Sequence, residues 1–110
     1  MEEQDIQIYL HPNPEIRSYL TPDILTRPVF DTYEPPLEEL PDGLSARLGT
    51  IGAQLVREIL SVPGVVQLRI KPKELRIKKG PHASWDELEK ALLRIVDRAV
   101  RKSRIRVLKR

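Results

Sequence analysis

Cysteine is absent from the 110-residue chain, and this excludes more than any residue present does. No disulfide, thiolate zinc site, thiolate-ligated iron–sulfur centre, cysteine nucleophile or dithiol redox pair can be built from this chain alone. Also missing is any run near the ~18 apolar residues of a membrane span, and the acidic start MEEQDIQIYL lacks the basic segment and apolar stretch of a leader. These absences lead us to expect a soluble, cytoplasmic protein with no membrane partner. Only five residues are aromatic and only two are histidine. A chain of this length hides roughly two-thirds of its unfolded surface, enough for one core without metal or disulfide staples, so residues 1–110 read as a single domain.

Bases are scarce in the first part of the chain and acids in the second. Residues 1–45 hold ten acids and two bases (Arg17 and Arg27), a net of −8, whereas residues 46–110 hold 17 bases and six acids, a net of +11. Such polarity suits a basic surface for an acidic partner. It equally suits an N-terminal half that folds back on the C-terminal half, or a mixed surface serving solubility.

Seven of the ten prolines fall in the first 45 residues, which excludes long helices there because each ring removes a donor and obstructs the preceding turn. Short extended pieces remain. Asp5 to Leu10 alternates, with Ile6, Ile8 and Leu10 on one face, and after the turn at His11-Pro12-Asn13-Pro14 the segment Glu15 to Leu20 alternates again, with Ile16, Ser18 and Leu20 opposite Arg17 and Tyr19. Val29 to Tyr33 fits a further short edge strand, and Glu34 to Gly43 reads as a surface loop.

From Ser45 the period changes. Leu48, Ile51, Leu55, Val56, Ile59 and Leu60 form one stripe, so a helix from Ser45 or Ala46 to about Val62 is expected, closed by Pro63-Gly64. Strands Val65 to Lys71 and Glu74 to Lys79 follow, joined at Pro72-Lys73. Val66, Leu68, Ile70, Leu75 and Ile77 face inward and Arg69, Lys71, Arg76 and Lys78 outward. Ser84-Trp85-Asp86-Glu87 spells a capping box in which Ser84 accepts from the Glu87 amide and Glu87 reaches back. The helix it opens carries the stripe Leu88, Leu92, Ile95, Val96, Ala99 and Val100. Residues 101–110, with six bases and no acid, fit a basic tail as well as a final strand.

The expected fold is therefore a two-layer α+β domain in ββαββα order, with two hairpins forming about four strands and two helices packed on one face. Its expected core is Ile8, Leu10, Leu55, Val56, Ile59, Leu60, Val66, Leu68, Ile70, Leu75, Ile77, Leu88, Leu92, Ile95 and Val96.

Pro12-Asn13-Pro14 followed by a short strand, Ile59 to Val65 reading Ile-x-x-Val-Pro-Gly-Val, a second hairpin over Val66 to Lys79, and Trp85-Asp86-Glu87-Leu88 opening a helix are words found in this order in one family. Over about residues 5–100 the chain resembles the N-terminal domain of the Nfu/NifU iron–sulfur cluster scaffold proteins. It departs from them in the long proline-rich segment Asp23 to Ser45 and in His11, where the family usually has threonine. In that family a separate domain binds the cluster through Cys-x-x-Cys. The resemblance therefore implies an accessory or protein-interaction module of iron–sulfur assembly that binds no cofactor itself. A cluster enters only through a cysteine-bearing partner, whether an assembly protein or a recipient.

His11 and His82 make a metal site only if they converge with carboxylates such as Asp23 or Asp86, and solvated loop histidines are the commoner outcome. No serine stands at a motif spacing from a histidine, so no enzyme is expected. Gly49-Thr50-Ile51-Gly52 spells the G-x-x-G of an RNA-binding loop, yet within an expected helix it reads as close packing. If helices cover one sheet face, the other presents Arg17, Tyr19, Arg69, Lys71, Arg76 and Lys78. This mixture of bases and an aromatic suits an acidic protein partner or, alternatively, nucleic acid. Pro12, Asn13, Pro14, Pro63, Gly64, Ser84, Trp85 and Glu87 read as structural, with the Trp85 ring folded onto the helix–sheet seam.

Overall fold

A computed structural model describes residues 6–36 and 43–108, with side chains to residue 103. The described residues form five strands, β1 (Gln7–Leu10), β2 (Ile16–Leu20), β3 (Asp31–Tyr33), β4 (Val65–Lys71) and β5 (Glu74–Lys79), all but the three-residue β3 carrying apolar residues at alternate positions. Helical spacing builds α1 (Leu44–Leu48), α2 (Thr50–Leu60) and α3 (Trp85–Leu108). The sheet order is β1-β2-β5-β4-β3 with every neighbour antiparallel. The class is α+β as expected, but the short strand β3, within the proline-rich segment, joins the sheet beside β4 and brings the strands to five.

The core lies between the sheet and the helices, where Leu55, Val56, Ile59, Leu68, Ile70, Leu75, Ile77, Leu92 and Val96 are fully buried. Ile95 packs against this cluster only in part. Ile8, Leu10 and Val66 leave the expected core. Ile8 and Leu10 stand at 39% and 61% exposure because β1 is an outer strand that the helices do not cover. A bulge between Val65 and Gln67 inserts one residue into β4, so Val65 turns inward and Val66 outward.

The expected single helix from Ser45 is two. Gly49 adopts φ +91°, a conformation that L side chains rarely take, and it breaks the stripe into α1 and α2. Gly52 is the close-packing glycine of this pair: a Cβ there would stand 2.8 Å from Thr26 Cγ2 and 2.9 Å from Leu48 Cβ. The proline-rich segment is pinned to this corner, with the Leu25 amide donating to the Pro72 carbonyl (2.8 Å) and the Arg27 amide to the Leu48 carbonyl (3.1 Å).

At the start of α3, Ser84 Oγ accepts from the Asp86 amide at 3.2 Å rather than from Glu87. The helix then continues to Leu108, so most of the basic C-terminal run is helical rather than a tail or a strand. Residues 37–42 of the expected loop and Asp5 of the expected first strand lie outside the described residues.

Candidate functional site

Antiparallel register decides which side chains share a face, because residues directly opposite point to the same side. Leu75 and Ile77 lie under the helices, and β2 sets Tyr19 opposite Leu75 and Arg17 opposite Ile77. Arg17 and Tyr19 therefore belong to the covered face, which corrects their place among the outward partner-binding residues. Tyr19 is fully buried. Its hydroxyl makes no hydrogen bond of normal geometry among the described residues, and burial, followed by the neighbouring Glu89 carboxylate, raises its pKa. Arg17 pairs with Glu89 and stacks its guanidinium 4.7 Å from the centre of the Trp85 ring. Trp85 Nε1 donates to the Pro14 carbonyl at 2.8 Å, which places the ring at the seam as expected.

The uncovered face holds the other four expected residues. One row across it runs Tyr9, Ser18, Arg76, Arg69 and Thr32, and the next runs Gln7, Leu20, Glu74 and Lys71. Lys78 lies between Ile16 and Gln67 in a third row. Arg69 thus sits directly opposite Arg76, an arrangement that costs stability unless an anion comes between. Lys71 has a loose ion pair with Glu74 (3.7 Å). Arg76 and Lys78 have no ion pair among the described residues.

Phe30 belongs to this face although the sequence reading passed over it. It lies two residues before Thr32 in the strand alternation and is 63% exposed, with Lys71 Nζ 4.8 Å and the Arg69 guanidinium 5.7 Å from its ring centre. Its alternation with Thr32 is the signal that would have found it. Tyr9 marks the opposite edge, its ring edge-on to His11 at 4.7 Å. His11 Nε2 bonds to Ser18 Oγ (2.8 Å), and Ser18 donates its proton to Glu74 Oε2 (2.9 Å), so His11 supplies the proton of the first bond. This chain holds the Glu74 carboxylate toward β2. His82 lies apart in an exposed loop, and the described residues contain no group of three or more His, Asp and Glu side chains able to hold a metal.

A separate cavity of about 540 Å³ opens beside the α1–α2 break, lined by Ile24, Arg27, Ser45, Gly49, Thr50 and Ser103 among others. Among the described residues, no helix is long and apolar enough to cross a membrane.

No family model and no curated protein matches this sequence. Solved structures do. A NifU-like protein from Saccharomyces cerevisiae aligns with a TM-score of 0.64 at 20% identity, covering 86% of this chain and 76% of that one. Protein SAV1430 from Staphylococcus aureus, in its crystal structure, aligns with a TM-score of 0.63 at 16% identity, covering 86% of this chain and 99% of that one. At such identities the likeness is one of fold, and the chain has the NifU-like α+β fold.

Proposed function

We propose that this chain is a non-enzymatic interaction module of iron–sulfur cluster assembly, one that docks an acidic protein partner on its uncovered sheet face. The observation that carries this reading is Arg69 directly opposite Arg76, flanked by Lys71 and by Lys78, which has no ion pair among the described residues, on a face that none of the described helices covers. A folded chain that keeps like charges opposed gains from an anionic surface laid over them. The NifU-like fold supports the iron–sulfur setting. Since the chain has no cysteine, the thiolates of any cluster it serves belong to the partner.

The test is capture from nuclease-treated lysate of the source organism by the tagged chain, with untreated lysate beside it. Recovery of cysteine-bearing assembly or recipient proteins after nuclease supports the reading, and recovery of none contradicts it. A second reading, single-stranded nucleic acid on the same face, draws on Tyr9 and Phe30, two exposed rings at opposite edges of a basic sheet. Loss of all bound material on nuclease treatment would favour it.

A further inference from the structure

The two edges of the sheet are built differently. β3 spans only three residues, carries Asp31 and is followed by Glu34, Pro35 and Pro36, the charges and prolines with which edges are commonly guarded. β1 has neither. Its four residues, Gln7, Ile8, Tyr9 and Leu10, are uncharged and all exposed, and its outer side has no strand among the described residues.

Hydrogen-bond phase tells which backbone groups that edge offers. The His11 amide donates to the Ile16 carbonyl, so the odd-numbered residues of this strand turn their N–H and C=O toward β2 and the even-numbered ones turn theirs outward. Ile8 and Leu10 therefore present, on the outer edge, donors and acceptors with no partner strand among the described residues. Their side chains lie on the helix side, in register with Tyr19 and Arg17, and Ile6 continues that row, packed in part against the core.

The segment is also its own complement. Antiparallel pairing of two copies about Ile8 sets Ile8 opposite Ile8, Ile6 opposite Leu10 and Gln7 opposite Tyr9, with aliphatic facing aliphatic on the helix side and no like charges opposed. The outward-turned groups of Ile6, Ile8 and Leu10 then meet their counterparts. We infer that β1 pairs with β1 of a second copy about a two-fold axis at Ile8, forming a continuous ten-stranded sheet. The axis stands perpendicular to the sheet, so both basic faces look the same way and become one surface. A four-residue strand offers less than the ~800 Å² per partner of a standard stable interface, so the pairing is reversible and depends on concentration.

Sedimentation of the full chain from about 10 µM to about 1 mM tests this. The wild type shifts from monomer toward dimer over that range, and because the strand is uncharged the shift persists in high salt. Ile8→Lys and Ile8→Glu, each setting like charges at the axis, weaken self-association at least about tenfold, and an equimolar mixture of the two regains it. Leu10→Lys, at the more exposed position opposite Ile6, also weakens it. The inference is overturned by a wild type that stays monomeric across the range, as it would if β1 served only another protein's strand. It is equally overturned by charged variants that associate like wild type, or by a mixture that does not recover.

Discussion

Trp85 Nε1 donates to the carbonyl of Pro14 at 2.8 Å, joining the turn of the first hairpin to the first turn of α3 across 71 residues of sequence. The Arg17 guanidinium over the ring and the Arg17–Glu89 pair beside it make this contact the point at which the N-terminal hairpin is held to the rest of the fold. Trp85→Phe keeps most of the apolar area and loses the hydrogen bond. It is expected to lower unfolding free energy by about 1 kcal/mol, and Trp85→Ala by about 3 kcal/mol, in urea denaturation followed by circular dichroism.

Gly52 gives a prediction opposite to helix propensity. Alanine in a helix interior is favoured over glycine by about 1 kcal/mol, but here the added methyl meets Thr26 Cγ2 at 2.8 Å and Leu48 Cβ at 2.9 Å. Thr26 is short and β-branched, the Leu48 Cβ is fixed to its backbone, and both residues are buried. Gly52→Ala is expected to destabilise by roughly 1–2 kcal/mol net, and Thr26→Ser, which removes one of the two contacts, restores part of the loss. A stabilised Gly52→Ala protein would contradict the packing described for this corner.

Asp31 contributes to acid stability through its pairing with Arg47. Two hydrogen bonds from Arg47 hold its carboxyl below the ordinary aspartate range, outweighing desolvation, with a further bond from the Tyr33 hydroxyl at 3.0 Å. A carboxyl whose folded pKa is lowered contributes stability above its unfolded value, near 3.9, and loses it as pH falls through the folded value. Asp31→Asn is therefore expected to lower the urea midpoint at pH 7, with the gap to wild type closing as pH drops below about 4. A gap that stays constant with pH would show that the Asp31–Arg47 contact does not contribute through ionisation.

On the function proposed above, any iron chemistry belongs to a partner. The chain has no thiolate and two histidines, whereas a stable cluster needs about four thiolate or imidazole ligands. The isolated protein is expected to purify colourless and to retain no stoichiometric cluster after anaerobic incubation with iron and sulfide and desalting. A retained charge-transfer absorption band would move the iron site onto this chain.

What the sequence made legible follows from how local each signal is. β4, β5, α2 and α3 announce themselves because their apolar residues recur at one spacing and their neighbours in sequence are polar. β2 is legible as a strand, but its facing is not, because Ile16, Ser18 and Leu20 on one side and Arg17 and Tyr19 on the other are equally plausible inward sets. The choice is made by Trp85 and Glu89, about 70 residues away, which give Arg17 a stacked and paired place under α3. Ile8 and Leu10 have a core pattern without a cover, and alternation alone cannot show that a strand lies at the edge. Four of the six expected partner-binding residues, Arg69, Lys71, Arg76 and Lys78, do share the uncovered face, since their phase was fixed within a hairpin of known turn.

Charge reversal on the uncovered face of the sheet, set beside charge removal on the covered face, tests the account most directly. Arg69→Glu with Arg76→Glu alters the uncovered face and touches no core contact, whereas Arg17→Ala removes the cation over Trp85 on the covered face. Capture of cysteine-bearing proteins from nuclease-treated lysate is expected to fall at least about tenfold for the double reversal, with melting temperature near that of wild type. Arg17→Ala is expected to melt lower and, while folded, to capture as wild type does. Undiminished capture by the double reversal would contradict the claim that this face binds the partner.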